Sequence, residues 1–83
     1  DYETRLNTAR EHAFMLREYF GLPRAVYMLR SVLMWYTKGL TGSAVFRGRI
    51  NQVKEFDRLI NILEEYFTDI QMEARGKEKA VAG

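Results

Sequence analysis

Apolar residues recur at alternating spacings of four and three near both ends of the chain, and this rhythm strongly constrains the fold. The first stripe contains Tyr2, Leu6, Ala9, Ala13, Leu16 and Phe20, and the last contains Val53, Phe56, Ile60, Leu63, Phe67 and Ile70. Because an α-helix repeats every 3.6 residues, each stripe occupies one helical face. The sequence therefore predicts a first helix over Tyr2–Phe20 and a last helix that begins after the cap residue Asn51.

Two shorter helices are predicted between these long ones. Gly21 suits the positive φ found just past a helix end, and Pro23 suits the first turn of the next helix. Helix 2 is expected from near Leu22 to about Lys38, with Gly39 as its terminator, and Thr41 or Ser43 would cap a short third helix ending at Ile50. The inner stripe predicted for helix 2 is Leu22, Val26, Leu29, Leu33 and Tyr36. The fold class is all-α, a small four-helix bundle-like domain with one short helix.

Length and composition set the outer limits of the domain. The 83 residues include no cysteine, so disulfides and zinc-thiolate sites are excluded. We expect one helical domain over residues 1–70 and a frayed or disordered tail over 71–83, where the apolar rhythm stops. No membrane association is expected, because arginines interrupt the longest apolar run and it is shorter than a bilayer span. Since the chain begins at Asp1 without methionine, we expect a piece of a longer polypeptide.

Charge is distributed very unevenly along the chain. No acidic residue lies between Glu18 and Glu55, and six basic residues do: Arg24, Arg30, Lys38, Arg47, Arg49 and Lys54. The net charge of +2 therefore hides a basic middle between two acidic ends. A concentrated positive charge attracts polyanions and releases their counterions. The sequence predicts a nucleic-acid face, with Arg24, Arg30, Lys38, Arg47 and Arg49 as phosphate contacts.

The outer side of helix 2 mixes aromatic residues with these cations. At about 100° per residue, Arg24, Ser31 and Lys38 align opposite the inner stripe, and Tyr27 and Trp35 flank them. Aromatic and basic side chains together bind single-stranded nucleic acids by stacking and by phosphate contacts. In the competing interpretation, Tyr27, Trp35 and two methionines form a second buried face. The sequence favours burial of Trp35, because large aromatic side chains are usually mostly buried.

The sequence contains no convincing catalytic constellation. His12 is the only histidine, and it is predicted to be a surface or partly buried side chain rather than a metal ligand. Glu64, Glu65 and Asp69 are expected to solvate an exposed helix face rather than to act as general acid and base. The glycines of the middle segment do not match a phosphate loop. The chain alone is not expected to turn over a substrate.

A series of short motifs is spread between about Leu6 and Phe67: Tyr19-Phe20-Gly21, Arg30, Trp35-Tyr36, Lys38-Gly39-Leu40 with Gly42, and Arg47 with Ile50-Asn51. In their order and spacing, these motifs resemble the C-terminal helical domain of bacterial tRNA-dihydrouridine synthases. Two positions depart from the family pattern: Ser31-Val32 replaces a basic cluster, and Thr41 replaces a proline.

The resemblance implies a cytoplasmic parent enzyme with a catalytic TIM barrel that carries FMN and a cysteine. Such an enzyme reduces a uridine of tRNA with electrons from NADPH, and the helical domain helps to hold the tRNA. The cofactors would therefore belong to the parent enzyme rather than to this chain, and the expected partners are tRNA and the barrel of the same polypeptide.

Two other functions stay open from the sequence. The chain could be an intramolecular scaffold whose Trp35 side docks on the barrel, with its arginines as ordinary solvated charges. It could also be a free-standing helical module for protein interaction, without direct RNA contacts.

Overall fold

The computed structural model describes the backbone of residues 1–82 and the side chains of residues 1–76. Four helices follow one another: α1 (Tyr2–Phe20), α2 (Arg24–Thr37), α3 (Ser43–Ile50) and α4 (Phe56–Ala82). No strand occurs within the described backbone. The predicted all-α class, with one short helix among four, is confirmed.

The core lies where α4 packs against the other three helices. Helix α1 packs against α2 and α4, and α3 packs against α2 and α4. Ala9 and Ala13 are fully buried on α1, and their small side chains allow its backbone to approach its neighbours closely. The most deeply buried large side chains include Phe46 and Phe67, one from α3 and one from α4.

Glycines end the first two helices as predicted. Gly21 has φ 71° after α1, and Gly39 has φ 81° after α2, a region that favours glycine. Helix α2 begins at Arg24 rather than near Leu22. Leu22 is consequently in the preceding turn and is 60% exposed, so its predicted place in the inner stripe is wrong.

The capping predictions for the last two helices are also wrong. Gly42, with φ 75° and ψ 9°, is the residue before α3, and no side chain caps that helix. Asn51 follows α3 as its C-cap, and α4 begins only at Phe56. The connecting segment instead packs through its backbone: the Arg30 guanidinium donates a hydrogen bond to the Asn51 carbonyl. Because α4 begins only at Phe56, Val53 lies in this connecting loop, half-buried against the core, and its predicted place in the stripe of the last helix is wrong.

Helix α4 continues beyond Ile70, the last buried residue of its stripe, to Ala82. Residues 71–82 are helical, although the apolar rhythm stops there. Fraying is a property of dynamics rather than of a single conformation, so the prediction of a frayed tail stays a prediction. Gly83 lies outside the described residues.

Candidate nucleic-acid interface

Trp35 stands exposed on α2, contrary to the burial that its size suggested. Its side chain is 78% exposed, and Tyr27, about two turns earlier, is 51% exposed. Met28 and Met34 are only half-buried. The predicted second buried face of α2 is therefore wrong, because no helix covers this side of α2 in the described part of the chain.

Two open grooves meet at Trp35. The larger, about 820 Å³, lies between the N-terminal half of α1 and the C-terminal end of α2. The smaller, about 380 Å³, lies between α2 and α3. Trp35 and Lys38 line both grooves, so they form the ridge that separates them.

Three exposed cations converge on this ridge. Lys38 lies on the ridge itself, Arg47 of α3 lines the smaller groove, and Arg5 of α1 lines the larger one. None of the three forms an ion pair with another described side chain. We call Arg5, Trp35, Lys38 and Arg47 the Trp35 surface.

Only one carboxylate, that of Asp1, lines the two grooves among the described residues. Its oxygen accepts a 2.7 Å hydrogen bond from the Thr4 backbone N–H, which makes it the N-cap of α1. This role holds the carboxylate against the helix N-terminus, where a negative charge is stabilised. The smaller groove, with Lys38 and Arg47, has no acidic lining residue. The Trp35 surface is therefore a predominantly positive surface around a bare indole.

The other predicted contacts are placed differently. The Arg24 guanidinium lies 5.3 Å from the ring centre of Phe20, at the far end of α2 from Lys38, and is exposed. Arg30 is half-buried, and its guanidinium lies 4.9 Å from the Tyr27 ring centre. The same guanidinium donates a hydrogen bond to the Asn51 carbonyl. Arg30 therefore joins α2 to the loop after α3, which is a structural role.

Arg49 is paired rather than free. Its Nη2 donates a 2.7 Å hydrogen bond to Oε2 of Glu65. This bond holds the pKa of the Glu65 carboxyl below its usual value. Glu65 thus neutralises Arg49 at neutral pH. The structure brings Lys38 and Arg47 together, and it does not bring Arg24, Arg30 or Arg49 to the same grooves.

Arg5 is a member of this surface that the sequence did not single out. It lies outside the acid-free segment, on a helix that carries three acidic residues and an acidic N-cap, so its own part of the sequence is not basic. The apolar pattern of α1 did indicate that Arg5 is exposed, because Arg5 lies off the buried stripe. Only the packing of α1 beside the end of α2 brings it to Trp35 and Lys38.

His12 has a structural partner. Its Nδ1 lies 3.3 Å from the Tyr36 hydroxyl, and the two rings meet edge to face. His12 is half-buried, so the predicted surface or partly buried histidine is confirmed.

None of the described helices has the length and hydropathy needed to cross a bilayer.

Two curated relatives match most of this chain. The "Probable tRNA-dihydrouridine synthase" of Rickettsia bellii is 29% identical over 68 residues, which cover 82% of this chain and 21% of the relative. The protein of the same name from Rickettsia conorii is 29% identical over 73 residues, which cover 88% of this chain and 22% of the relative. No family model matches the chain, and no solved structure matches it. The chain is similar to about one fifth of these tRNA-dihydrouridine synthases.

Proposed function

We propose that this chain is the tRNA-binding helical domain of an FMN-dependent tRNA-dihydrouridine synthase. The observation that carries the proposal is the convergence of three unpaired cations, Arg5, Lys38 and Arg47, on two adjoining open grooves. The similarity to two proteins named tRNA-dihydrouridine synthases supplies the class of nucleic acid. The domain would position tRNA for reduction of a uridine by a catalytic barrel of the same cytoplasmic polypeptide.

Positioning follows from the kind of contact that these side chains make. Arginine and lysine bind phosphates without reading bases, so they fix the register and orientation of a nucleic acid. Folded RNA presents phosphates and 2′-hydroxyls over a broad surface, which cations on three different helices can follow. In this proposal Lys38, Arg47 and Arg5 make the central contacts, and Arg24 extends the surface along α2. Arg30 acts chiefly by holding the fold, and Glu65 screens Arg49.

Cofactor chemistry belongs in this proposal to the barrel. A flavin ring is usually enclosed by a largely apolar cavity, whereas the grooves at Trp35 are open to solvent and lined by cations. The grooves at Trp35 therefore do not fit a flavin ring, and this proposal assigns no residue to FMN or NADPH.

A salt titration with charge reversal tests the proposal. We expect the 83-residue chain to bind tRNA with a log affinity that falls against log salt at a slope of about −2 to −4.5, for about three to five phosphate contacts. The double variant K38E/R47E should lose most of this affinity and keep its melting temperature, because both side chains are exposed. The control with the same change in charge is R58E/R75E, because Arg58 and Arg75 are exposed on α4 and line neither groove.

Two results would contradict the proposal. Binding that is flat against salt would exclude phosphate contacts, and equal losses in K38E/R47E and R58E/R75E would show that only net charge matters. Sequencing the longer reading frame tests the other part of the proposal, the catalytic barrel, because a flavin-barrel sequence is then expected upstream of this chain.

A second function, an intramolecular scaffold, is favoured by a different surface. Large apolar side chains are exposed around the C-terminal end of α1 and the following turn: Phe14 44%, Met15 67%, Tyr19 83%, Phe20 37% and Leu22 60%. Exposed apolar clusters often mark a protein contact. The relatives have about four fifths of their length outside the matched stretch, which supplies a partner for this surface in the same polypeptide. Docking through this end of α1 would leave the Trp35 surface free.

A further inference from the structure

The indole of Trp35 has no partner within the described part of the chain. It is 78% exposed, and no ring, cation or hydrogen-bond contact is made by it. Other exposed aromatic rings contact a neighbouring side chain: the ring centres of Tyr19 and Phe20 are 4.9 Å apart, and the Arg30 guanidinium lies over the Tyr27 ring. Holding a large apolar ring in water is unfavourable. The bare ring with cations on both sides therefore points to a ligand.

We propose that Trp35 is a stacking platform for an unpaired base of RNA, with Lys38 and Arg47 on the adjoining phosphates. This inference rests on the proposed function and adds the structural class of RNA that the same surface takes. A single strand offers a base face beside its phosphates, whereas a duplex hides its base faces within the stack. Phosphate contacts alone would need no exposed indole.

The charge around Trp35 favours RNA over a protein as the occupant. A protein-docking surface is expected to be apolar at its centre and poor in charge. Trp35 instead lies between Lys38, the C-cap of its own helix, Arg47 on α3 and Arg5 on α1. The more apolar surface is the one around Met15 and Tyr19. The two surfaces differ in the chemistry that they can recognise.

The sole tryptophan of the chain gives a direct measurement. The 83-residue chain is titrated with an unstructured RNA of about 12 nucleotides, within the site sizes of single-strand binding folds, and with the same RNA paired to its complement. We expect the single strand to quench the fluorescence of Trp35 and to bind more tightly than the duplex. W35A should weaken single-strand binding about 5- to 150-fold, the range for one stacked base, and change duplex binding less than twofold.

Two further variants separate stacking from other effects. W35F keeps a smaller ring and should recover part of the affinity. Y19A removes another highly exposed aromatic ring, away from the grooves, and should bind RNA like the parent chain. Melting curves of all variants should agree, because Trp35 is exposed. Quenching of Trp35 fluorescence is measured on the unsubstituted chain, so it tests stacking even if W35A fails to fold.

The possible failures are distinguishable. Salt-dependent binding of both RNAs, with unchanged Trp35 emission and an unaffected W35A, would overturn stacking and leave the phosphate-binding function intact. Absence of binding to either short RNA and to tRNA would overturn both. Loss of barrel docking in W35A of the longer enzyme, with RNA affinity unchanged, would assign Trp35 to a protein contact and overturn the proposal.

Discussion

The phenol of Tyr66 donates a 2.7 Å hydrogen bond to the backbone carbonyl of Thr41, and this bond ties α4 to the turn between α2 and α3. The Tyr66 ring also packs on Phe46 of α3, with ring centres 4.7 Å apart. The turn carries the chain from Lys38 to α3, so Tyr66 helps to set the position of Arg47 relative to Lys38. A residue outside the grooves thus supports their geometry.

Removing the Tyr66 hydroxyl should loosen this turn. Y66F keeps the ring and deletes the hydrogen bond, so we expect a loss of about 1 kcal/mol in the free energy of unfolding, or a melting temperature lower by about 4–8 °C. Thermal melting followed by circular dichroism measures it. Y19F is the control, because Tyr19 is 83% exposed and has no such bond. Equal melting of Y66F and the parent would show that the bond contributes nothing.

Alkaline pH should act on the same contact. Burial raises the pKa of the Tyr66 phenol above its ordinary value. Because the folded chain holds this proton more tightly than the unfolded chain, the stabilisation is complete below the unfolded pKa of about 10 and is lost as pH rises through the folded pKa. Urea unfolding at a series of pH values should show a fall in stability above about pH 10. The fall should be shallower in Y66F.

Two glycines provide a matched test of the turn before α3. Gly42 has φ 75°, and we expect G42A to lower stability by about 1 kcal/mol, because a Cβ disfavours the left-handed region. Gly48 lies inside α3, and a Cβ there would meet nothing within 4 Å. G48A should therefore raise stability by about 0.5–1 kcal/mol. Denaturant unfolding of both variants checks the opposite signs, and a destabilised G48A would contradict the open environment.

Glu65 should restrain RNA binding by neutralising Arg49. E65Q removes the carboxylate that pairs with Arg49, so we expect tighter tRNA binding and a salt slope steeper by up to about 0.9, the value for one contact. E64Q is the matched control, because Glu64 pairs with Arg10 on α1 instead. If E65Q and E64Q gain equally, the gain reflects net charge and Arg49 is not a phosphate contact.

The Arg49–Glu65 pair also has a definite pH dependence. Since the pKa of Glu65 is lowered in the folded chain, the stabilisation by this pair is fully present at pH values above the ordinary pKa of a glutamate carboxyl. The stabilisation is lost as the pH falls through the lowered pKa of the folded chain.

Arg30 should matter more for stability than for RNA. R30A removes the hydrogen bond to the Asn51 carbonyl and the contact with Tyr27, so we expect a loss of about 1 kcal/mol in unfolding free energy. K38A should leave stability unchanged, because Lys38 is exposed and unpaired. The order should reverse in tRNA binding, where K38A should lose more than R30A. Paired melting and binding measurements distinguish the two roles.

The sequence determined the helices because local rules govern them. Alternating apolar spacing identified α1 and the buried stripe of α4 from Phe56 to Ile70, and the glycines identified where α1 and α2 end. Leu59 and Ile62 of α4 were missed, although both are buried. They flank the predicted stripe, and α4 buries them because it has neighbours on more than one side. An apolar stripe in the sequence does not show how many other helices pack around the helix that carries it.

The candidate site depended on tertiary structure to a much greater degree. Sequence alone showed that the middle of the chain is basic, because charge is a property of residues. Which cations share a groove is a property of packing: α1 brings Arg5 to Lys38, Glu65 neutralises Arg49, and Asn51 engages Arg30. Exposure of Trp35 was likewise decided by the absence of a covering helix among the described residues, which no local spacing encodes.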